Sequence, residues 1–356
     1  MKHQIAAIAM AVALFLWSAH KSSLGAAESR AGAPPTPPSN HWVDANERVG
    51  QAGGWKAYAR EISAAKKNAS GSENTTKTKR PLLTLEAALQ RAHSLNPSIA
   101  QALSNVERDS KAYPTLSDHQ RAALGLEARL ESDTQALYFA AVAANERLRY
   151  QQQVVEVAAV ASELAHRMQK VGNLNRLHQS EEALSLAEME GSLSTAQLQA
   201  RAATEQLIQR LQLSGAEASF TLPAHLPPLP TGGSPPDISR VDSALIASPA
   251  IAPAQIKAQS EARHALHTRD EAFRLAVHYR DTVLPLQKQI SEEHLLHYNG
   301  MIIGIFELLK DAKKQVQAVQ STMDALRAYW LAEAALTPKL LALREELLTT
   351  RRDAWK

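Results

Sequence analysis

Eight apolar residues, Ile305, Leu309, Ala312, Val316, Val319, Met323, Leu326 and Trp330, stand alternately four and three positions apart. Glu307, Lys310, Asp311, Lys313, Lys314, Gln315, Gln317 and Gln320 fill most of the faces between them. A sustained 3.5-residue repeat is the mark of a left-handed coiled-coil seam, which has to lie against other helices. The next position of the series is Glu333, so the strict pattern stops at Trp330, shortly before Thr337-Pro338. Composition agrees with helix. Ala is the commonest residue, aromatics make up 5% and there are only 14 Gly. Such a chain favours helix and lacks the Val, Ile, Thr and aromatic content of a β-sandwich or porin barrel. A second long helix is predicted from about Ser117 to Lys170, interrupted only by Gly125, with Ser117 and Gln120 forming a capping box. A rod of that length, roughly 80 Å, needs neighbours along all of it.

The N-terminus reads as a secretory signal. Lys2 and His3 are followed by an unbroken apolar run from Ile5 to Trp17, then by Gly25-Ala26-Ala27. Cleavage after Ala27 is expected, because the apolar run is short for a bilayer of about 30 Å. Residues 28–80, rich in Pro, Ser, Gly, Asn, Thr and Lys, read as a disordered arm, with a short helix around Trp55 to Ala65. The remainder, 82–356, reads as one all-α domain of long antiparallel helices with an internal two-fold repeat. The first repeat is 82–213 and the second 254–350. Between them, 214–253 holds eight Pro and Gly232-Gly233, and is expected to be extended rather than helical. The halves open alike, at Asn96-Pro97 and at Ser248-Pro249 through Pro253, where a polar cap before a first-turn Pro starts a helix. Each half then breaks once, at Val171-Gly172-Asn173-Leu174-Asn175 and at Tyr298-Asn299-Gly300-Met301-Ile302-Ile303-Gly304. Gly172 and Gly300 are expected to make the sharp turns.

Chemistry-bearing patterns are sparse. A net charge of +3, from 39 basic and 36 acidic residues, leaves no electrostatic footprint for nucleic acid. The absence of Cys removes disulfides and thiolate metal sites. No HExxH, GxSxG or phosphate-binding Gly-rich motif occurs, so no enzymatic activity and no catalytic residue are expected. Glu181-Glu182 and Glu345-Glu346 read as exposed helix positions, and the Met residues are too scattered for a copper-binding Met box. His264 and His267 share a helix face, as do His294 and His297, with Glu261 and Glu293 nearby. Imidazoles at this spacing either hold Zn²⁺ or Cu²⁺ or form solvated polar faces. Otherwise no cofactor is expected.

Four stretches together resemble the TolC-like outer-membrane efflux family. They are Leu83-Thr84-Leu85-Glu86-Ala87-Ala88-Leu89 with Asn96-Pro97; Gly172-Asn173-Leu174-Asn175; Tyr279-Arg280-Asp281-Thr282-Val283-Leu284-Pro285-Leu286; and Tyr298 through Leu309 with Ala328-Tyr329-Trp330. The last is similar to a branch often associated with metal or copper handling. The resemblance implies a transport assembly: a homotrimer or a pairing with a related TolC-like subunit, meeting a periplasmic adaptor and an inner-membrane pump. It also implies that the helix turns form the docking tip, giving roles to Gly172, Asn173, Asn175, Asn299, Gly300 and Met301. The family inserts a pair of membrane strands in each half. Here Ala112-Tyr113-Pro114-Thr115-Leu116 leads straight into a helical stretch, and Ala254 to His297 has no break except Pro285. Both strand pairs are therefore expected to be absent, leaving an exported protein in the periplasm or associated with the outer membrane. The alternative is a periplasmic helical protein that binds a metal or partner and has no transport role.

Overall fold

The computed structural model describes residues 80–104, 106, 113–230, 240–247, 249 and 252–353, within the unit Asn74–Lys356. The signal peptide, nearly all of the arm with its short helix, and parts of the Pro-rich crossing lie outside the described residues. Among the described residues the fold is all-α, with no β-strand beyond an isolated bridge between Leu82 and Thr221. The helices are α1 (Leu85–Ser94), α2 (Pro97–Ala102), α3 (Asp118–Lys170), α4 (Arg176–Leu211), α5 (Arg240–Ala247), α6 (Pro253–His278), α7 (Leu284–Asn299) and α8 (Ile305–Asp353). None is long and apolar enough to cross a membrane.

The long helices lie side by side in the order α4, α3, α8, then α6 continued by α7, each antiparallel to the next. Partner numbers fix the directions, falling on one helix as they rise on its neighbour. Along α3 and α8, Arg121 meets Glu345 (3.0 Å), Arg147 meets Asp324 (3.3 Å) and Gln151 meets Gln320 (3.2 Å). Along α3 and α4, Asp133 meets Arg210 and Asn145 meets Thr204. Along α6 and α8, Glu261 meets Lys339 (2.7 Å) and Arg269 faces Glu333 (3.9 Å). The exposed pairs among them, Arg147–Asp324 and Glu261–Lys339, set register more than stability. The Ala content has a packing purpose: Ala141, Ala158, Ala161, Ala165, Ala196 and Ala200 are buried between helices.

At 53 residues, α3 is about 80 Å long. Its capping box forms as expected: the Gln120 amide donates to Ser117 Oγ (3.3 Å), and the Ser117 amide donates to Gln120 Oε1 (3.0 Å). The helix starts behind proline are not capped as the sequence suggested. Asn96 donates its side-chain amide back to the Ala92 carbonyl (2.9 Å), leaving Pro97 to start α2 without a side-chain cap. In the second half the helix starts at Pro253, four residues after Pro249. There Gln255 reaches back to the Ala252 amide (3.3 Å). The crossing also departs from expectation, because 240–247 is helical. That segment contains no proline, so nothing forbids a helix between the flanking ones.

The break expected at Pro285 is a widening rather than an end. Residues Tyr279–Val283 form one π turn between α6 and α7. Pro285 has no N–H, and its ring crowds the carbonyl four residues back; an i→i+5 turn relieves both faults. Arg280 and Asp281 pair on this turn (2.6 Å), which raises the guanidinium pKa and lowers that of the carboxyl. α8 itself runs unbroken through Pro338.

Five aromatic residues meet at one level. Tyr138 and Phe139 on α3, Trp330 and Tyr329 on α8 and Phe273 on α6 form a chain of ring contacts, with successive centroids 5.9, 5.4, 5.0 and 5.3 Å apart. Trp330, last of the heptad series, faces Phe139; its neighbour Tyr329, about 100° round the helix, faces Phe273. Thus α8 packs on both sides, and its seam is only partly covered. Leu309 and Met323 are buried, while the other six seam residues are half-buried.

The segment 219–230 runs across this belt. Leu83 donates to the Thr221 carbonyl (2.9 Å), and the Trp330 indole donates to the Pro227 carbonyl (2.9 Å). Buried Glu146 accepts from the Leu226 amide (3.1 Å) and lies 2.6 Å from His225 Nδ1. Arg149 donates to the Ala224 carbonyl.

Beside the belt, burial raises the Glu333 pKa against the lowering influence of Arg269, and the Tyr329 phenol is pushed up to about 12 by burial and by Glu333. A carboxyl with a raised folded pKa contributes most below its unfolded value and loses that contribution as pH rises through the folded one. Glu333→Gln is therefore expected to melt at a higher temperature than the parent at about pH 7 and to match it near pH 4. Arg269 keeps Asp270 at 2.8 Å in that variant. Circular-dichroism melts across the range check this; an equal or lower melting temperature at neutral pH overturns it.

Candidate docking tip and histidine clusters

Both helix breaks lie at the same end of the bundle. His178, near the start of α4, stacks edge-on with Phe306, near the start of α8, at 5.2 Å, and Lys313 reaches Ser185 (2.9 Å). The two turns are built alike. In the first, the Gly172 amide donates to Gln169 (3.0 Å) and that of Asn173 to Met168 (2.9 Å), with Gly172 left-handed at φ +80°. In the second, the Met301 amide donates to Tyr298 (3.0 Å) and that of Ile302 to His297 (2.8 Å), with Met301 left-handed at φ +56°. Each is the paired-bond helix ending that normally takes Gly. Gly300, expected to make the second turn, instead sits at ordinary helical-side φ (−79°), one residue early. Met301 holds the strained position, at a cost of roughly 1 kcal/mol.

The helices leaving the turns are capped. Asn175 accepts from the His178 amide (2.7 Å) and so has a structural task. At the second turn the Gly304 amide donates to the Glu307 carboxylate (3.0 Å). Asn173 and Asn299 are exposed. What the sequence did not single out is the apolar character of this end: Val171 is 69% exposed, Leu177 69%, Met301 63% and Ile302 72%. Exposed apolar side chains are ordinary singly and informative when they gather at one end of a rod.

The four candidate metal-ligating His are distributed along α6 and α7. His264 and His267 are exposed on α6, where Thr268 donates to the His264 carbonyl. His294 and His297 border a shallow groove on α7 with Leu286, Ile290 and Glu293. His294 Nδ1 lies 3.1 Å from Asp311, a buried carboxylate that also accepts from Gln287 (3.0 Å). Among the described residues, neither pair is joined by a third ligand. A different set is brought together: His93 on α1 with Glu127 and Glu131 on α3. The only sequence signal for it is the four-residue spacing of the two Glu.

No family model matches the sequence, and no curated protein matches it. Solved structures do. The chain matches CusC, studied for the conformational changes that accompany folding and transmembrane channel formation, with TM-score 0.52 and 14% identity over 72% of this chain and 95% of that one. A membrane protein from Pseudomonas aeruginosa gives 0.48 and 12%, over 72% and 93%, and the outer-membrane channel OprN gives 0.38 and 16%, over 72% and 86%. The likeness to CusC shows a shared fold: an all-α bundle of the kind found in a channel-forming protein.

Proposed function

We propose that this chain is a TolC-family efflux component. It supplies the periplasmic helical part of a transport assembly, without a complete outer-membrane barrel, and docks through its paired turns to a periplasmic adaptor that serves an inner-membrane pump. The half-covered seam of α8 and the exposed apolar residues of α4 and α7 favour association with further copies, a trimer by family resemblance, or with a related full-length subunit. Export to the periplasm, or association with the outer membrane, follows from the same reading, and no catalytic step is assigned to any residue.

One observation carries the docking role. Met301, largely exposed, is held left-handed where the first repeat uses Gly, beside the still more exposed Ile302. Strain retained at an exposed position marks a site where the side chain is needed more than local stability. Met301→Gly is therefore expected to stabilise the chain by about 1 kcal/mol while weakening adaptor association. The double change Met301→Asp and Ile302→Asp should reduce adaptor recovery at least about tenfold, roughly 1.4 kcal/mol of interaction. Cross-linking in intact cell envelopes, then purification of the tagged full chain and sizing of the particle, reads both. Unchanged recovery of the adaptor in both variants overturns the docking role.

A further inference from the structure

We propose that His93, Glu127 and Glu131 bind one divalent transition-metal cation of the zinc class. One potential ligand atom from each residue lies within 4.8 Å of the other two. His93 sits in the last turn of α1, and Glu127 and Glu131 stand one turn apart on the facing side of α3. His93 Nε2 is 3.0 Å from Glu131 Oε1, and Nδ1 is 4.0 Å from Glu127 Oε1. Zinc bonds to imidazole and carboxylate of about 2.0–2.2 Å place donors roughly 3.3 Å apart on a tetrahedron. The His93 Nε2–Glu131 separation stands close to that spacing; Glu127, beside the other ring nitrogen, completes the set by turning toward Nε2.

The donor set fits a borderline cation. One imidazole and two carboxylates supply neutral nitrogen and anionic oxygen, and no thiolate is present to select a softer ion. Glu127 is only 8% exposed, while His93 and Glu131 are half-buried, so the site has a closed floor and an open rim. Three protein ligands leave one position for water. The cation pins α1 to α3 about 60 Å along α3 from the turns, so the site is independent of docking.

The rival reading is a proton alone: an imidazolium held between two carboxylates. Zinc titration of the metal-free full chain separates the two. The background carries His264, His267, His294 and His297 all changed to Gln, which removes the two closely spaced histidine pairs of α6 and α7. One Zn²⁺ per chain is expected to bind there, with a rise in melting temperature, and Co²⁺ is expected to give visible ligand-field absorption. His93→Gln and Glu131→Gln, each checked for unchanged helicity, should each weaken zinc binding at least about tenfold and abolish the thermal shift. Failure of the quadruple-Gln chain to bind zinc, or binding indifferent to both His93→Gln and Glu131→Gln, overturns the site. Neither result bears on adaptor docking, which is read by a different assay at the other end of the bundle.

Discussion

Tyr329→Ala is expected to lower the unfolding free energy by about 3–5 kcal/mol, the loss typical of a fully buried aromatic side chain. Tyr329 is 0% exposed and Phe273 1%, and their rings meet edge to face at 5.3 Å. This contact joins α6 to α8 within a small cluster that also holds Ala272, Ala276, Ala325 and Leu229. Truncation leaves a hole that the straight rods on either side cannot close. Urea denaturation of the full chain measures the change. Phe273→Ala should cost a similar amount, and the double variant less than the sum, because the two remove one shared contact. A loss below about 1 kcal/mol for Tyr329→Ala would show that the belt does not hold the second hairpin in place.

Glu146→Ala is expected to release the strap over the belt. Glu146 is 4% exposed, and its carboxylate meets both the Leu226 amide and His225. Without it the buried amide of Leu226 has lost its acceptor, a penalty of about 1–3 kcal/mol. The local signature is sharper than the global one. Hydrogen exchange at 222–230 should accelerate by about tenfold or more while the mid-helix amides of α3 stay protected. Glu146→Gln retains an acceptor and should show a smaller effect. Uniform acceleration along all helices would contradict a local clasp.

The parts of this architecture governed by short-range rules were legible in the sequence. The Ser117–Gln120 box, the left-handed Gly172 and the apolar repeat of α8 all depend on neighbours within one or two turns. Residue type misled where a neighbour could serve instead. Gly300 drew the turn assignment, yet the strained position fell to Met301, because the pattern of bonds and not the nearest glycine decides which residue reverses the chain. Asn96 looked like a helix cap but satisfies the preceding helix instead. The helix at 240–247 was hidden by counting prolines over the whole crossing rather than between them.

The histidines mark a limit of another kind. Pairs three apart share a helix face, and helical spacing alone does not say which other element brings a further donor. His93 and Glu131 are 38 positions apart and meet only because α1 folds back on α3. No local rule relates them. The apolar tip was half visible. Both turns could be found, but their arrival at one end follows from the antiparallel order of α3, α4, α7 and α8.

α8 comes later in the sequence than both of the helices it separates. During vectorial synthesis or threading through a translocation channel, α3 and α6 emerge with Phe139 and Phe273 bare, and the piece that covers them is still to come. The two flanks cannot seal early. A nascent chain of this design keeps two apolar edges open until α8 has followed, so both flanks close late and together.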